Sequence, residues 1–167
     1  MYGLLLEGVR KALKTKYGDK AWNQISKKLG IQHRSFNITK CYSETIIIRI
    51  AKTASEVTGD SVEEIMDLFG DNFVSFVGQY GYDRILRVLG RHLRDFLSGL
   101  DNLHEYLRFS YPKLKPPSFF VEDEGPDGLT LHYRSRRKGY LHYVMGQIRA
   151  VAMQFYNTEL DIEVSIA

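Results

Sequence analysis

Leu129-Thr130-Leu131-His132-Tyr133-Arg134-Ser135-Arg136-Arg137-Lys138 is the stretch in which the chain changes its hydrophobic period. Side chains on one face of a strand recur every second residue, and Leu129, Leu131 and Tyr133 do so. A second extended run, Ser118-Phe119-Phe120-Val121, follows Pro116-Pro117, and the segment from Glu122 to Gly128 between the two has the composition of a turn. An antiparallel pair of strands is the natural reading. If the second strand continues, Tyr133, Ser135 and Arg137 share a face that joins two hydroxyls to one guanidinium. That set suits a paired carboxylate, because arginine offers a planar fork and the hydroxyls add directed hydrogen bonds. It is equally the description of an exposed basic strand end.

Outward from this stretch the chain reads as helices. Leu4, Leu5, Val9, Leu13 and Tyr17 keep helical spacing over 3–17, Gly18 is a stop, and a second helix fits 19–29. Ser61-Val62-Glu63-Glu64 has the form of a capping box ahead of Ile65, Leu68, Phe69, Phe73, Phe76 and Val77, with a bend expected at Gly70. A short helix fits 82–88, a long one about 91–110 that Pro112 helps to end, and another about 140–156. Leu160, Ile162, Val164 and Ile166 alternate as a last strand whose partner the sequence does not supply. The expected fold is therefore α+β, a mostly helical N-terminal part packed with a small antiparallel sheet that lacks its last strand.

Composition narrows the function classes. A chain of 167 residues suits one domain with a core large enough to enclose a cofactor. Cys41 is the single cysteine, so an intrachain disulfide and a thiolate metal cluster are excluded and a cytoplasmic location is expected. No run approaches the roughly 18 to 20 apolar residues of a membrane span, and the start Met1-Tyr2-Gly3 has neither a signal peptide nor the glycine needed for myristoylation. A formal charge of +3 is too small to indicate nucleic acid, although Arg134 to Lys138 is basic enough to expect an anion nearby.

On the long helix, Leu93, Phe96, Leu97, Leu100, Leu103 and Leu107 form an apolar stripe, and His104 lies within it. An inward imidazole is either a core histidine satisfied by a carbonyl or hydroxyl, or a neutral nitrogen ligand for haem iron.

Five segments resemble, in order and with matching spacing, the haem nitric oxide/oxygen-binding (H-NOX) domain at the N-terminus of soluble guanylate cyclase beta-type subunits. They are Met1-Tyr2-Gly3, Leu86-Arg87-Val88-Leu89-Gly90, Leu100-Asp101-Asn102-Leu103-His104, Pro117-Ser118-Phe119 and Leu131 to Arg137. The resemblance implies a single H-NOX sensor domain over 1–167, with a helical subdomain over about 1–60 and a haem b enclosed by helices and sheet over about 61–167. It makes His104 the proximal iron ligand and Tyr133, Ser135 and Arg137 the motif that binds the haem propionates. Pro117 matches the proline that presses on the porphyrin, though by its residues alone it simply opens a strand.

The same resemblance puts Leu5, Phe73 and Tyr143 on the distal face. A phenol there favours dioxygen over nitric oxide and carbon monoxide, all three of which are expected ligands, and resembles the atypical oxygen-sensitive invertebrate cyclases. Tyr140 is close enough in the helix to compete for that position. His142 is an alternative distal ligand, whereas His33, His92 and His132 read as surface groups. Two cysteine positions of typical vertebrate beta subunits are Val77 and Val121 here, so thiol regulation there is not implied. Cys41 reads as buried or incidental.

The implied output is regulation of cyclic GMP synthesis, through movement of the His104 helix passed to downstream sensor, coiled-coil and cyclase segments of a dimeric parent protein. The domain itself is not expected to be an enzyme, since no phosphate-binding glycine loop or paired metal-binding aspartates occur and no carboxylate or nucleophile is suitably spaced about His104. Competing readings are a nitric-oxide-selective cyclase sensor, a stand-alone sensor acting on a partner in trans, and a cofactor-free interaction domain.

Overall fold

Helix α1, Gly3–Leu29, joins the two expected segments across a kink at Gly18, whose φ of 85° and ψ of 170° lie outside helical geometry and favour glycine. The computed structural model describes residues 2–31 and 35–166; Met1 and His33 lie outside them. Helix α2, Ile46–Thr58, has no counterpart in the sequence reading, yet it is plainly amphipathic, burying Ile47, Ile50, Ala51 and Ala54. Helix α3, Val62–Gly78, starts at the expected capping box: the Glu64 N–H donates to Ser61 Oγ at 3.2 Å, and the Ser61 N–H donates to Glu64 Oε2 at 2.9 Å.

No bend occurs at Gly70, because α3 continues through it. The glycine serves a close approach instead. A Cβ there would lie 1.9 Å from the main-chain oxygen of Tyr143, and one on Gly146 would lie 2.3 Å from that of Asp67. Helices α3 and α7, Leu141–Tyr156, thus cross backbone to backbone.

The long helix expected over 91–110 is two short ones. After α4, Asp83–Val88, come α5, Leu93–Ser98, and α6, Leu100–Leu107. Gly99, at φ −91° and ψ −1°, separates them, its N–H closing α5 on the Asp95 carbonyl at 3.0 Å. Strands β1, Ser118–Glu122, and β2, Thr130–Arg134, pair antiparallel, with Phe119 opposite Tyr133 and Val121 opposite Leu131.

The alternating tail over 159–166 forms no strand among the described residues. A lone extended segment has no ladder to stabilise it, and Val164 and Ile166 stand exposed. The rest is the expected helical part packed with a small two-stranded sheet. One apolar cluster joins α1, α2 and α3 to Tyr140 and Tyr143; another joins α5 and α6 to α7 and the sheet; a small third comprises Leu4, Phe76 and Val77.

Candidate functional site

Members of all three clusters line one cavity of about 260 Å³, whose walls are mainly apolar. On one side α6 presents His104, between Leu103 and Leu107, as the helical stripe predicts. Its Nδ1 is buried with no hydrogen-bond partner, so the ring is not a core histidine satisfied through that nitrogen. Burial pushes the imidazole below its ordinary pKa, against the opposing effects of Asp101 and Glu105, and so favours the neutral form that can offer a nitrogen lone pair.

The position of His104 is tied to the sheet through its own helix. Asp101, one turn earlier, accepts from the Phe119 N–H and from Ser118 Oγ, each at 2.9 Å. The Phe119 ring in turn lies 6.1 Å from the imidazole and 5.5 Å from the Tyr133 ring, centroid to centroid.

Tyr133, Ser135 and Arg137 all reach the cavity, but not by sharing a strand face. Strand β2 ends at Arg134. Beyond it the chain turns, with Ser135 Oγ accepting from the Arg137 N–H at 3.1 Å. The Arg137 guanidinium donates from Nε to Glu44 Oε2 at 2.5 Å and from Nη1 to the Lys115 carbonyl at 2.8 Å. Its charge holds the Glu44 carboxyl down at about 2. Among the described residues Nη2 has no partner, so the fork keeps donors for a further anion.

Leu5, Phe73 and Tyr143 line the cavity as well. The Phe73 and Tyr143 rings lie 6.2 Å apart. Tyr143 is 6% exposed, its hydroxyl is buried with no partner, and burial pushes the phenol well above its ordinary pKa, so it keeps its proton. Tyr140 lines the cavity as well, so the two phenols do not exclude one another. Pro117 lies at the cavity wall immediately before β1.

The other singled-out residues stand apart. His132 is exposed, with Nε2 2.8 Å from the Glu122 carboxylate; His92 caps α5; His142 does not line the cavity. Cys41 is exposed rather than buried. Val77 lines the cavity and Val121 packs with the sheet cluster. Sequence reasoning missed Ile47 of α2 and the phenols Tyr82 and Tyr111 as lining groups; Ile47 sits in a short β-branched run that strand and helix share, and the phenols carried no local signal.

The family profile described as Haem-NO-binding matches residues 2–164. The chain is 46% identical over 163 residues to soluble guanylate cyclase gcy-31 of Caenorhabditis elegans, covering 98% of this chain and 23% of that protein. It is 47% identical over 104 residues to guanylate cyclase soluble subunit beta-2 of Rattus norvegicus, covering 62% of this chain and 15% of the subunit. The chain therefore spans less than a quarter of these relatives' length. Among solved structures, the Fe(II) unliganded H-NOX protein from K. algicida superposes with a TM-score of 0.83 over 99% of this chain and 88% of that one. At 19% identity that likeness establishes the fold. A profile match over nearly the whole chain, joined to that fold, makes this protein a member of the haem-NO-binding (H-NOX) family.

Proposed function

We propose that the chain is a haem-based sensor domain, spanning 1–167, that binds dioxygen, nitric oxide and carbon monoxide at ferrous haem b. The observation that carries this reading is the pairing of an unpartnered imidazole on α6 with an unpartnered phenol on α7 across an apolar cavity. Those residues fit the group. A flat apolar macrocycle suits the lining, a neutral imidazole suits its iron, and the spare donors of Arg137, with Ser135 and Tyr133, suit its carboxylates.

Bound ferrous haem supplies an iron that takes one diatomic ligand. His104 supplies the proximal nitrogen, while Leu5 and Phe73 exclude water from the distal side. Pro117, at the cavity wall just before β1, would pack against the macrocycle. Tyr143 holds its proton and donates a hydrogen bond to whatever lies beside it. Dioxygen attracts such a donor more than carbon monoxide or nitric oxide does, by about 1 to 3 kcal/mol, or roughly tenfold to a hundredfold in affinity. Were His104 displaced, α6 would carry the shift to β1 through Asp101, which accepts from Ser118 Oγ and the Phe119 N–H.

The output we propose is control of guanylate cyclase within a longer, dimeric, cytoplasmic protein. The support is that gcy-31 and gcy-33 of Caenorhabditis elegans, 46% and 44% identical to this chain, are both named soluble guanylate cyclases, and the chain covers only 23% and 17% of them. No helix among the described residues is long and apolar enough to cross a membrane.

Optical spectra of the reduced protein under nitrogen, air, carbon monoxide and nitric oxide test the reading. A Soret band that shifts with each gas, and that is lost in His104→Gly unless imidazole is added, is the expected result. Colourless protein that takes up no haemin overturns the haem reading. Tyr143→Phe is expected to speed dioxygen loss by about tenfold or more; an unchanged rate, or a deoxy spectrum unaltered by air, removes the dioxygen assignment and leaves the nitric-oxide-selective reading.

A further inference from the structure

The haem reading uses the His104 ring and the Tyr143 hydroxyl, and leaves one buried, unpartnered group of the cavity wall unused: the hydroxyl of Tyr140. Tyr140 is 7% exposed. Three other phenols on the cavity wall have partners, since Tyr2 accepts from the Lys113 N–H at 2.8 Å and Tyr82 pairs with Tyr111 at 3.4 Å. A buried hydroxyl without a partner in a native structure calls for an explanation, commonly a ligand.

The place of Tyr140 says which part of a ligand it meets. Gly139, at φ +83°, turns the chain between Arg137 and α7, in a left-handed conformation that a side chain would strain. A Cβ there would also meet Ile48 Cδ1 at 3.2 Å. That turn brings Tyr140 into the cavity three residues after Arg137. The charged and titratable groups that act on its phenol are Arg137, Glu44 and Tyr133, all at the end of the cavity where the anchoring residues lie. Tyr143, by contrast, feels only Tyr140 among such groups, and it is Tyr143 whose ring meets Phe73. The two phenols contact edge to face with ring centroids 5.8 Å apart, yet only Tyr140 has Arg137, Glu44 and Tyr133 among the groups acting on it. Burial pushes the Tyr140 phenol up to about 12, so near neutral pH it keeps its proton and can donate a hydrogen bond to an acceptor.

We infer that Tyr140 is a fourth anchoring residue: resting on the haem reading above, its phenol donates a hydrogen bond to a haem carboxylate beside Tyr133, Ser135 and Arg137. It contacts the cofactor's charged edge and not the gas.

Tyr140→Phe removes one oxygen and tests this in the haem-loaded protein, with haem transfer to excess haem-free globin, carbon monoxide and dioxygen dissociation, and thermal melting of the haem-free form measured together. Expected are haem loss faster by on the order of tenfold, gas dissociation within about twofold of wild type, and haem-free melting unchanged or raised because an orphaned hydroxyl is gone. The combination of faster haem loss with no loss of haem-free stability separates anchoring from general packing, which would lower both. Haem loss at the wild-type rate overturns the inference, as does an effect confined to gas dissociation, which would put Tyr140 beside the gas. Wild-type protein that takes up no haemin overturns the haem reading as well; wild-type protein that holds haem while the variant loses it no faster overturns this inference alone.

Discussion

The two sides of the cavity are built by different means. On the Tyr143 side, α3 and α7 are long helices that meet main chain to main chain at Gly70 and Gly146. On the His104 side, α6 has eight residues, is separated from α5 at Gly99, and is tied to β1 by the hydrogen bonds of one aspartate. One wall meets main chain to main chain, with Arg149 donating to Asp67 and Gln154 to Ser75 across it, while the other combines the packing of Leu100 and Leu103 with the bonds of that aspartate. The proposed sensor function would draw on that difference, a short helix tied to the sheet through one aspartate being the easier wall to displace.

Three substitutions probe this contrast. Gly70→Ala should have the largest effect. Alanine's better helix propensity returns at most about 1 kcal/mol, but its Cβ would lie 1.9 Å from the Tyr143 carbonyl oxygen, and the helices would have to part. A destabilisation of roughly 3 kcal/mol is expected, seen as a melting temperature lower by about 6 to 12 °C; a shift under 2 °C would show that this wall yields. Asp101→Ala leaves the Phe119 N–H without its acceptor and should cost about 1 to 2 kcal/mol in denaturant unfolding, with faster hydrogen exchange concentrated in β1. Exchange that rises equally in α3 and α7 would deny the two sides separate stabilities.

The smallest effect belongs to the ion pair bridging the loop before α2 to the anchoring arginine. Glu44 titrates near 2 in the folded chain against 4.5 ordinarily, chiefly because of Arg137. Its stabilisation is therefore present above about pH 4.5 and is lost as the pH falls towards 2. The carboxylate side chain is 49% exposed, and solvent screening holds the contribution below about 1 kcal/mol. Glu44→Gln should flatten the stability profile between those pH values by that amount and leave it unchanged at pH 7 apart from a constant offset. An unchanged acid limb would mean that Arg137 is not restrained by Glu44 in solution.

Much of the fold was legible where the signal is local. The Gly18 kink, the Ser61 capping box and the strand pair follow from spacing and turn chemistry. Helix α2 escaped because Ile46-Ile47-Ile48 is a short β-branched run, compatible with strand or helix until its packing is known. The break at Gly99 was hidden because the leucine stripe keeps helical phase through it and a single glycine is tolerated within a helix. The tail over 159–166 shows the converse, a clean alternation that forms no strand without a neighbour to pair with.

The site divides in the same way. His104 was visible as an inward residue from the stripe alone, and Tyr133, Ser135 and Arg137, grouped in the sequence as one strand face, all line the cavity with it. The stated cause, one continuous strand, was wrong, since a serine-stabilised turn brings Ser135 and Arg137 in. The Glu44 partner of Arg137 lies 93 residues away in sequence, and no local pattern announces it. Tyr140 was noticed only as a rival to Tyr143, because helical spacing reports which side of a helix a residue occupies and not which end of a cavity it serves.

The crossing at Gly70 and Gly146 also bears on how such a pocket can diversify. The spacing of α3 from α7 is set by glycines and main-chain oxygens, not by the Tyr143 side chain. Under the proposed function, a change of side chain at position 143 would therefore alter the pocket's chemistry while the crossing that frames it is kept.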